Sequence, residues 1–438
     1  MINCLYFRCA GVRLLHLLHV YLVGDHFRGL VHFVMKSLSD YRLSEKSAAV
    51  LEFPLTKLPN GYEPWNTIIS ILPELYRNGS LRDYVSKLPL LSVDNLHSHV
   101  ELRLAHKILA FVTSAYVWLK GETDKPKVIY PSTTCYPLIE TSEKLGLHPI
   151  TTHQDLVLGN CLYVGENETP RLIHAPTHHA GWKPFIELGG RIEIAFAPCL
   201  PAILKAIDAQ NPLDVDRITQ SLGQISKVFE SMSECIHLFY ASFKSLLLIN
   251  LFRIKWLQLI PAIVLRRRWP KISTCLKWSS GLYYEDVTGL SGDHPHHDSV
   301  HNEKRRKIAC TGPSAAQSIC LQAADAVLQI KHNRDDEQFF EQMRTYMIPE
   351  HRQFLEDVAK QSRIRQIVHL HKDAELDEAY VTCTQAVRNF RQAHMGLADK
   401  FILQQVAVNV ARVKALETSG TGGQSLRFFL QRIKDNTV

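Results

Sequence analysis

A chain of 438 residues that is 46% hydrophobic and 21% charged can bury a sizeable core, which excludes a disordered or low-complexity protein. Lys and Arg outnumber Asp and Glu by 50 to 43, a modest net charge of +7, and the basic runs Arg266–Arg268 and Lys304–Lys307 carry no interleaved aromatics, so no nucleic-acid platform is expected. The ten cysteines are scattered with no CxxC and no CxxCH, which argues against a zinc ribbon, a thioredoxin motif or covalently attached haem and fits a reduced, cytoplasmic chain.

The first forty residues include an apolar stretch, "LLHLLHVYLVGDHFRGLVHFVM", broken by His16, His19, Asp25, His26 and Arg28. No run of about 18 uncharged apolar residues occurs there, so no membrane span is expected. No clean cleavage site follows a single apolar core, so the segment reads as an accessory helix or an inaccurate gene start rather than a signal peptide. Residues 41–165 read as a small helical domain. "LPELYRNGSLRDYVSKLPLLS" alternates helical periods with Pro, Asn and Gly stops. "HSHVELRLAHKILAFVTSAYVWLKG" is a long helix with no break, and "LIETSEKLGLHPI" is a short one ending at Gly146.

Residues 166–438 form a larger helical domain. Spacing of the 3.6-residue type runs through "SAAQSICLQAADAVLQIKH", "DDEQFFEQMRTYM", "PEHRQFLEDVAKQSRIRQIVHLH", "AELDEAYVTCTQAVRNFRQAHMGLADKFIL" and "SLRFFLQRIKD". Pro349 sits at a helix start. The polar stretch "DHPHHDSVHNEKRRK", residues 293–307, reads as a solvent loop. The predicted fold class is all-α.

Within "FRQAHMGLADKFIL", Phe390, Leu397 and Phe401 fall at i, i+7 and i+11, one stripe of a helix. His394 lies on that stripe at i+4, and Arg391 precedes it by one turn. By pattern alone His394 is either a core histidine satisfied by a carbonyl or an axial ligand to a metal or haem. The histidines of "HAPTHHAGW" and of residues 294–301 could bind a metal in a helical interaction protein, but they lack an HExxH spacing or a cysteine partner and read as surface histidines. "SGTGG", residues 419–423, reads as a flexible linker or as a mobile loop that supplies the Thr421 hydroxyl to a site. No GxSxG, GxGxxG or paired-carboxylate pattern stands out, so a buried planar cofactor suits the chain better than hydrolytic chemistry.

From about residue 45 onward the chain resembles the indoleamine 2,3-dioxygenases. The carriers are "LPELYRNGSLRDYVSKLPLLS", "RLAHKILAFVTSAYVW", "LIETSEKLGLHPI", "QDLVLGN", "GPSAAQS", "MRTYMIPEHRQFL", "FRQAHMGLADKFI" and "GTGG", in the family's order. The resemblance implies one haem b per chain, with a small N-terminal domain over a large helical haem-binding domain. It implies a monomer that adds O2 across the indole C2–C3 bond of L-tryptophan or a related indoleamine. The product would be N-formylkynurenine, in the kynurenine pathway of tryptophan catabolism and NAD biosynthesis. His394 falls on the proximal haem ligand, Arg391 and Asp325 on a pair beside it, and Ser314 and Ala315 on the distal wall. Phe185 falls on an aromatic that packs on the indole, and Thr421 on the loop hydroxyl that closes over substrate. No protein acid or base is obligatory.

The chain departs from the family around the substrate carboxylate. Phe239 and Tyr240 match two family aromatics, but Lys244 stands where the clamping arginine is due. About twenty apolar residues, 245–265, then intervene, and counting back from "GLYYED" puts Arg266 on the clamp position with Arg268 as neighbour. The insertion reads as an extra helix or a translated intron, and the alternative function is a haem-binding member disabled at its substrate pocket. His153 replaces a family aromatic, and Gly189 stands where some members have serine; both read as changes in specificity.

Overall fold

The structure is a computed structural model that describes residues 35–118, 129–165, 168–178, 181–244, 282–285, 305–308, 310, 312–399 and 426–437. The expected N-terminal extension, the insertion, Arg266, Arg268 and Thr421 lie outside the described residues. Residues Ser37–Val438 make one compact unit. Among the described residues no helix is long and apolar enough to cross a membrane.

The unit is mostly helical, as the spacing predicts. Helix α1 (Glu63–Asn78) opens on a proline and stops at Gly79, which is left-handed at φ 77. Short α2 (Leu81–Val85) leads to the unbroken α3 (His99–Trp118). After β1 (Ile129–Tyr130), α4 (Ser132–Leu145) ends at Gly146, φ 63. A Cβ there would lie 2.6 Å from Pro349 Cγ, so both conformation and space require glycine. "QDLVL", Gln154–Leu158, is a wide π-turn, followed by the antiparallel pair β2 (Cys161–Leu162) and β3 (Arg171–Leu172).

Three helices then build one side of the core: α5 (Trp182–Ala195), α6 (Cys199–Asp208) and α7 (Val215–Lys244). Strands β4 (Leu282–Glu285) and β5 (Arg305–Ile308) pair antiparallel, with β1 parallel to β4. Arg305–Lys307 thus belong to a strand, where their polarity predicts a loop; backbone pairing with β4, far away in sequence, decides the conformation.

The C-terminal helices carry clear start signals. In α8 (Ile319–Leu328) the Ser318 hydroxyl caps Cys320 N. Ser318 is extended, so the continuous helical spacing through "SAAQSICLQAADAVLQIKH" breaks there into a 3-10 turn, Ala315–Gln317, and α8. Helix α9 (Arg334–Arg344) is capped by Asn333, with Asp335, Asp336 and Glu337 in its first turn. Helix α10 (Pro349–Gln361) starts at the expected proline. Where the spacing predicts one helix to residue 371, the chain breaks at Ser362, whose hydroxyl donates to Val327 O, and restarts as α11 (Ile364–His371). Helix α12 (Ala374–Ala398) is capped by Asp373 and carries His394; α13 (Leu426–Asp435) follows.

Helix α7 makes the most extensive helix–helix contact with α12. Phe229 of α7 meets Phe390 of α12 edge-on at 5.8 Å and Phe196 at 6.1 Å. On the other side, α3 buries three basic residues against the π-turn. Arg103 donates to Gln154 Oε1, and Lys107 Nζ donates to Gly159 O at 2.9 Å and Asn160 Oδ1 at 3.3 Å. His106 Nδ1 lies 2.7 Å from Asp155 Oδ1 and its Nε2 3.1 Å from His148 O. Both ring nitrogens face acceptors, so both donate and the ring is protonated. Burial works against that charge, but Asp155 outweighs it and raises the His106 pKa. Burial pushes Lys107 down to about 7. The turn that opens the cavity described below is thus fastened by buried charge.

Asp155→Asn is expected to cost roughly 3 kcal/mol, the scale of a buried pair that loses one partner. The wild-type advantage is full below pH 6.5, the ordinary histidine value, and shrinks as pH rises through the raised value of His106. Urea unfolding of both proteins across that range measures it.

Candidate functional site

A half-open cavity of about 220 Å³ lies among the helices. Helix α5 supplies one wall through Phe185, Leu188, Gly189, Ile192 and Glu193, the i, i+3, i+4, i+7, i+8 face of a helix. The π-turn supplies Leu156 and Val157, preceded by His153. Segment 313–321 brings Ser314 and Ala315, and α12 brings Phe390, His394, Leu397 and Ala398. The wall is predominantly apolar, the usual lining for a ligand pocket.

Two glycines let α5 approach the wall closely. A Cβ on Gly190 would sit 2.6 Å from Cys161 Sγ and 3.1 Å from Pro170 Cγ. A Cβ on Gly189 would sit 3.3 Å from Val157. Any side chain at 190 would push α5 off β2, and one at 189 would press the π-turn.

His394 is half-buried, with its ring on the cavity wall. Its ring lies near-parallel to that of Phe390, 8° between planes and 6.5 Å between centroids. Burial lowers its pKa, so the ring is neutral at physiological pH. Neither ring nitrogen finds a hydrogen-bond partner among the described residues. Of the two readings its helical position allows, the ring's place on the cavity wall suits a ligand facing the cavity. Among the described residues no group of three His, Cys, Asp or Glu could hold a bare metal ion. One imidazole on an apolar wall suits a cofactor that brings most of its metal's ligands with it, as a macrocycle does.

Arg391 does not face the cavity. It is 2% exposed and its Nη2 donates to both Asp325 oxygens at 2.7 Å. Its Nη1 donates to the Thr437 hydroxyl. Asp325 Oδ2 also takes His332 Nε2 at 2.9 Å. Burial would raise the Asp325 pKa; Arg391 and His332 outweigh it and lower it. Asp325 on α8, Arg391 on α12 and Thr437 after α13 are thereby locked together.

The structure brings together His394, Ser314, Ala315 and Phe185 on one cavity, with Asp325 and Arg391 behind the histidine. Phe239, Tyr240 and Lys244 lie on the last turns of α7, their side chains outside the described residues. The polar couple on the wall, His153 and Glu193, is not evident from sequence as a pair. The one signal is that Glu193 continues the spacing of Phe185 and Gly189 along α5.

The chain matches the family model "Indoleamine 2,3-dioxygenase" over residues 37–438. It is 31% identical to "Indoleamine 2,3-dioxygenase 1" of Rattus norvegicus, covering 91% of this chain and 94% of the relative. It is 30% identical to "Indoleamine 2,3-dioxygenase 2" of Homo sapiens, covering 92% and 95%. It is also 29% identical to "Myoglobin" of Haliotis diversicolor, covering 91% and 97%.

Asp325→Asn is expected to lower stability by roughly 3 kcal/mol at neutral pH, by leaving Arg391 buried without its partner. The pair contributes above 3.8, the ordinary carboxylate value, and its contribution is lost as pH falls through the lowered value of Asp325. Denaturant midpoints of both proteins at neutral and acid pH measure it.

Proposed function

The chain belongs to the indoleamine 2,3-dioxygenase family, which is haem-dependent, and from that premise we propose that it holds one haem b through His394 and converts L-tryptophan and O2 to N-formyl-L-kynurenine. This is the first step of tryptophan catabolism by the kynurenine pathway, which feeds NAD biosynthesis. The observation that carries the reading is a neutral imidazole, without a hydrogen-bond partner among the described residues, on the wall of an apolar cavity. In this reading the protein is a cytoplasmic monomer, with a small domain over residues 41–165 and a catalytic domain over residues 166–438.

Haem, when bound, supplies the redox-active iron that activates O2. The protein's own work is placement. His394 offers a ring nitrogen on one side, leaving the other side of the cavity for substrates. Asp325 and Arg391 hold the helix turn beneath His394 and so set the direction of its ring. Ser314 and Ala315 form the distal wall, and Phe185 offers an aromatic face to the indole. The apolar lining keeps water from the reacting centre. Phe239 and Tyr240 add aromatic contact, Arg266 takes the substrate carboxylate in a two-pronged grip, and the Thr421 hydroxyl closes over the amino-acid end.

A second reading keeps the haem and removes turnover. It is favoured by the myoglobin relative, which aligns with nearly the whole chain, and by the insertion at residues 245–265.

Haem uptake by wild type and His394→Ala, followed by absorption of the ferric and ferrous-CO forms, tests the ligand. The wild type is expected to give a histidine-type spectrum that the variant loses. Addition of tryptophan, ascorbate and methylene blue to the wild type is expected to yield N-formylkynurenine. Haem binding without product would favour the second reading, and no haem uptake would defeat both.

A further inference from the structure

The cavity wall carries one polar couple that the reaction above does not use. His153 Nε2 lies 2.9 Å from Glu193 Oε1, and both residues are more than nine-tenths buried. The couple is fixed at both ends. The His153 backbone N–H donates to Gln317 Oε1 at 2.9 Å, and the Cys320 thiol donates to Glu193 Oε2 at 3.2 Å. The Ser318 hydroxyl adds a further hydrogen bond to the carboxylate. Burial opposes the charge on Glu193, but His153 and these donors outweigh it and keep the group ionised.

A carboxylate has no proton to give, so the hydrogen between the two groups rides on His153 Nε2. With its Nε2–H directed at Glu193, the Nε2–H tautomer carries its lone pair on Nδ1. Nδ1 has no partner among the described residues, and the ring lines the cavity. Glu193 accepts from His153 through Oε1, from Cys320 through Oε2 and from Ser318. His153 Nδ1 is the acceptor of this couple that meets no donor among the described residues and lies on a ring that lines the cavity.

We infer that His153 is a specificity-determining residue, whose Nδ1 accepts a hydrogen bond from a donor on the substrate's indole ring system, either the ring N–H or a ring hydroxyl. The inference rests on the substrate pocket assigned above. An aromatic hydrocarbon side chain at 153 would fill similar space and offer no acceptor, so the identity of this residue changes which ring substituents are favoured rather than whether an indole fits.

The test is equilibrium binding to the haem-loaded protein, read as the shift in haem absorption without reductant, for wild type, His153→Phe and His153→Gln. The probes are L-tryptophan, 1-methyl-L-tryptophan, 5-hydroxy-L-tryptophan and 6-hydroxy-L-tryptophan. If a hydroxyl is the donor, one hydroxylated probe binds the wild type roughly five- to tenfold tighter than tryptophan, the worth of one net hydrogen bond. That ratio falls to about one in His153→Phe and is partly restored in His153→Gln, whose amide oxygen can accept. If the ring N–H is the donor, 1-methylation weakens wild-type binding by a similar factor and leaves His153→Phe unaffected. Ratios that are the same in wild type and His153→Phe for all four probes overturn the inference. Should His153→Phe fail to take up haem because Glu193 is left unpaired, the double variant His153→Leu/Glu193→Gln removes the couple as neutral groups and is read by the same ratios. Binding is separate from turnover: discrimination without product formation defeats the dioxygenase reading alone, and product formation without discrimination defeats this inference alone.

Discussion

The buried ion pair between Arg391 and Asp325 is the constraint on which the site depends. Taking both charges out of water costs several kcal/mol each, and the two Nη2 bonds, the His332 bond and the Thr437 contact together offset that cost. The reward of this geometry is direction. Arg391 lies one turn before His394, so fixing Arg391 to α8 and to the chain after α13 fixes the rotation of α12 about its axis. His394 then has its ring on the cavity while Phe390 packs on Phe229 of α7. A neutral imidazole that meets no hydrogen-bond partner among the described residues is better placed when something in the cavity takes its lone pair.

The opposite wall is fixed by different means. Helix α5 approaches through Gly189 and Gly190, which leave no room for a Cβ at 190 and little at 189. The π-turn below it is held by buried basic groups of α3, with His106 and Asp155 at the centre. Charge on α3 thus positions Val157 and His153 at the cavity, and the cavity's width follows from how closely Gly189 packs on Val157 of that turn and Gly190 on Cys161 of β2. In the function proposed above, this wall carries the residue that discriminates substrates and the opposite wall carries the histidine that holds the cofactor.

Much of this was legible in residue order because it is local. The stripe Phe390, His394, Leu397 falls on one helical face whatever surrounds it, and the helix start at Pro349 needs only its own ring. The glycine stop at Gly146 is equally local. What escaped depends on distant partners. The break at Ser362 follows from the hydroxyl's bond to Val327, thirty-five residues back. Strand β5 exists because β4 lies beside it. His153 and Glu193 stand forty residues apart and meet only because the π-turn and α5 face one cavity. The Asp325–Arg391 pair was expected from the family resemblance and not from spacing, since sixty-six residues separate the two.

The most direct measurement is a crystal structure of the protein loaded with haem. The account requires the iron to be bonded to a ring nitrogen of His394, with the macrocycle in the cavity between α5 and α12 and the Arg391–Asp325 pair intact. Iron bonded to another residue, or haem seated outside that cavity, would contradict it.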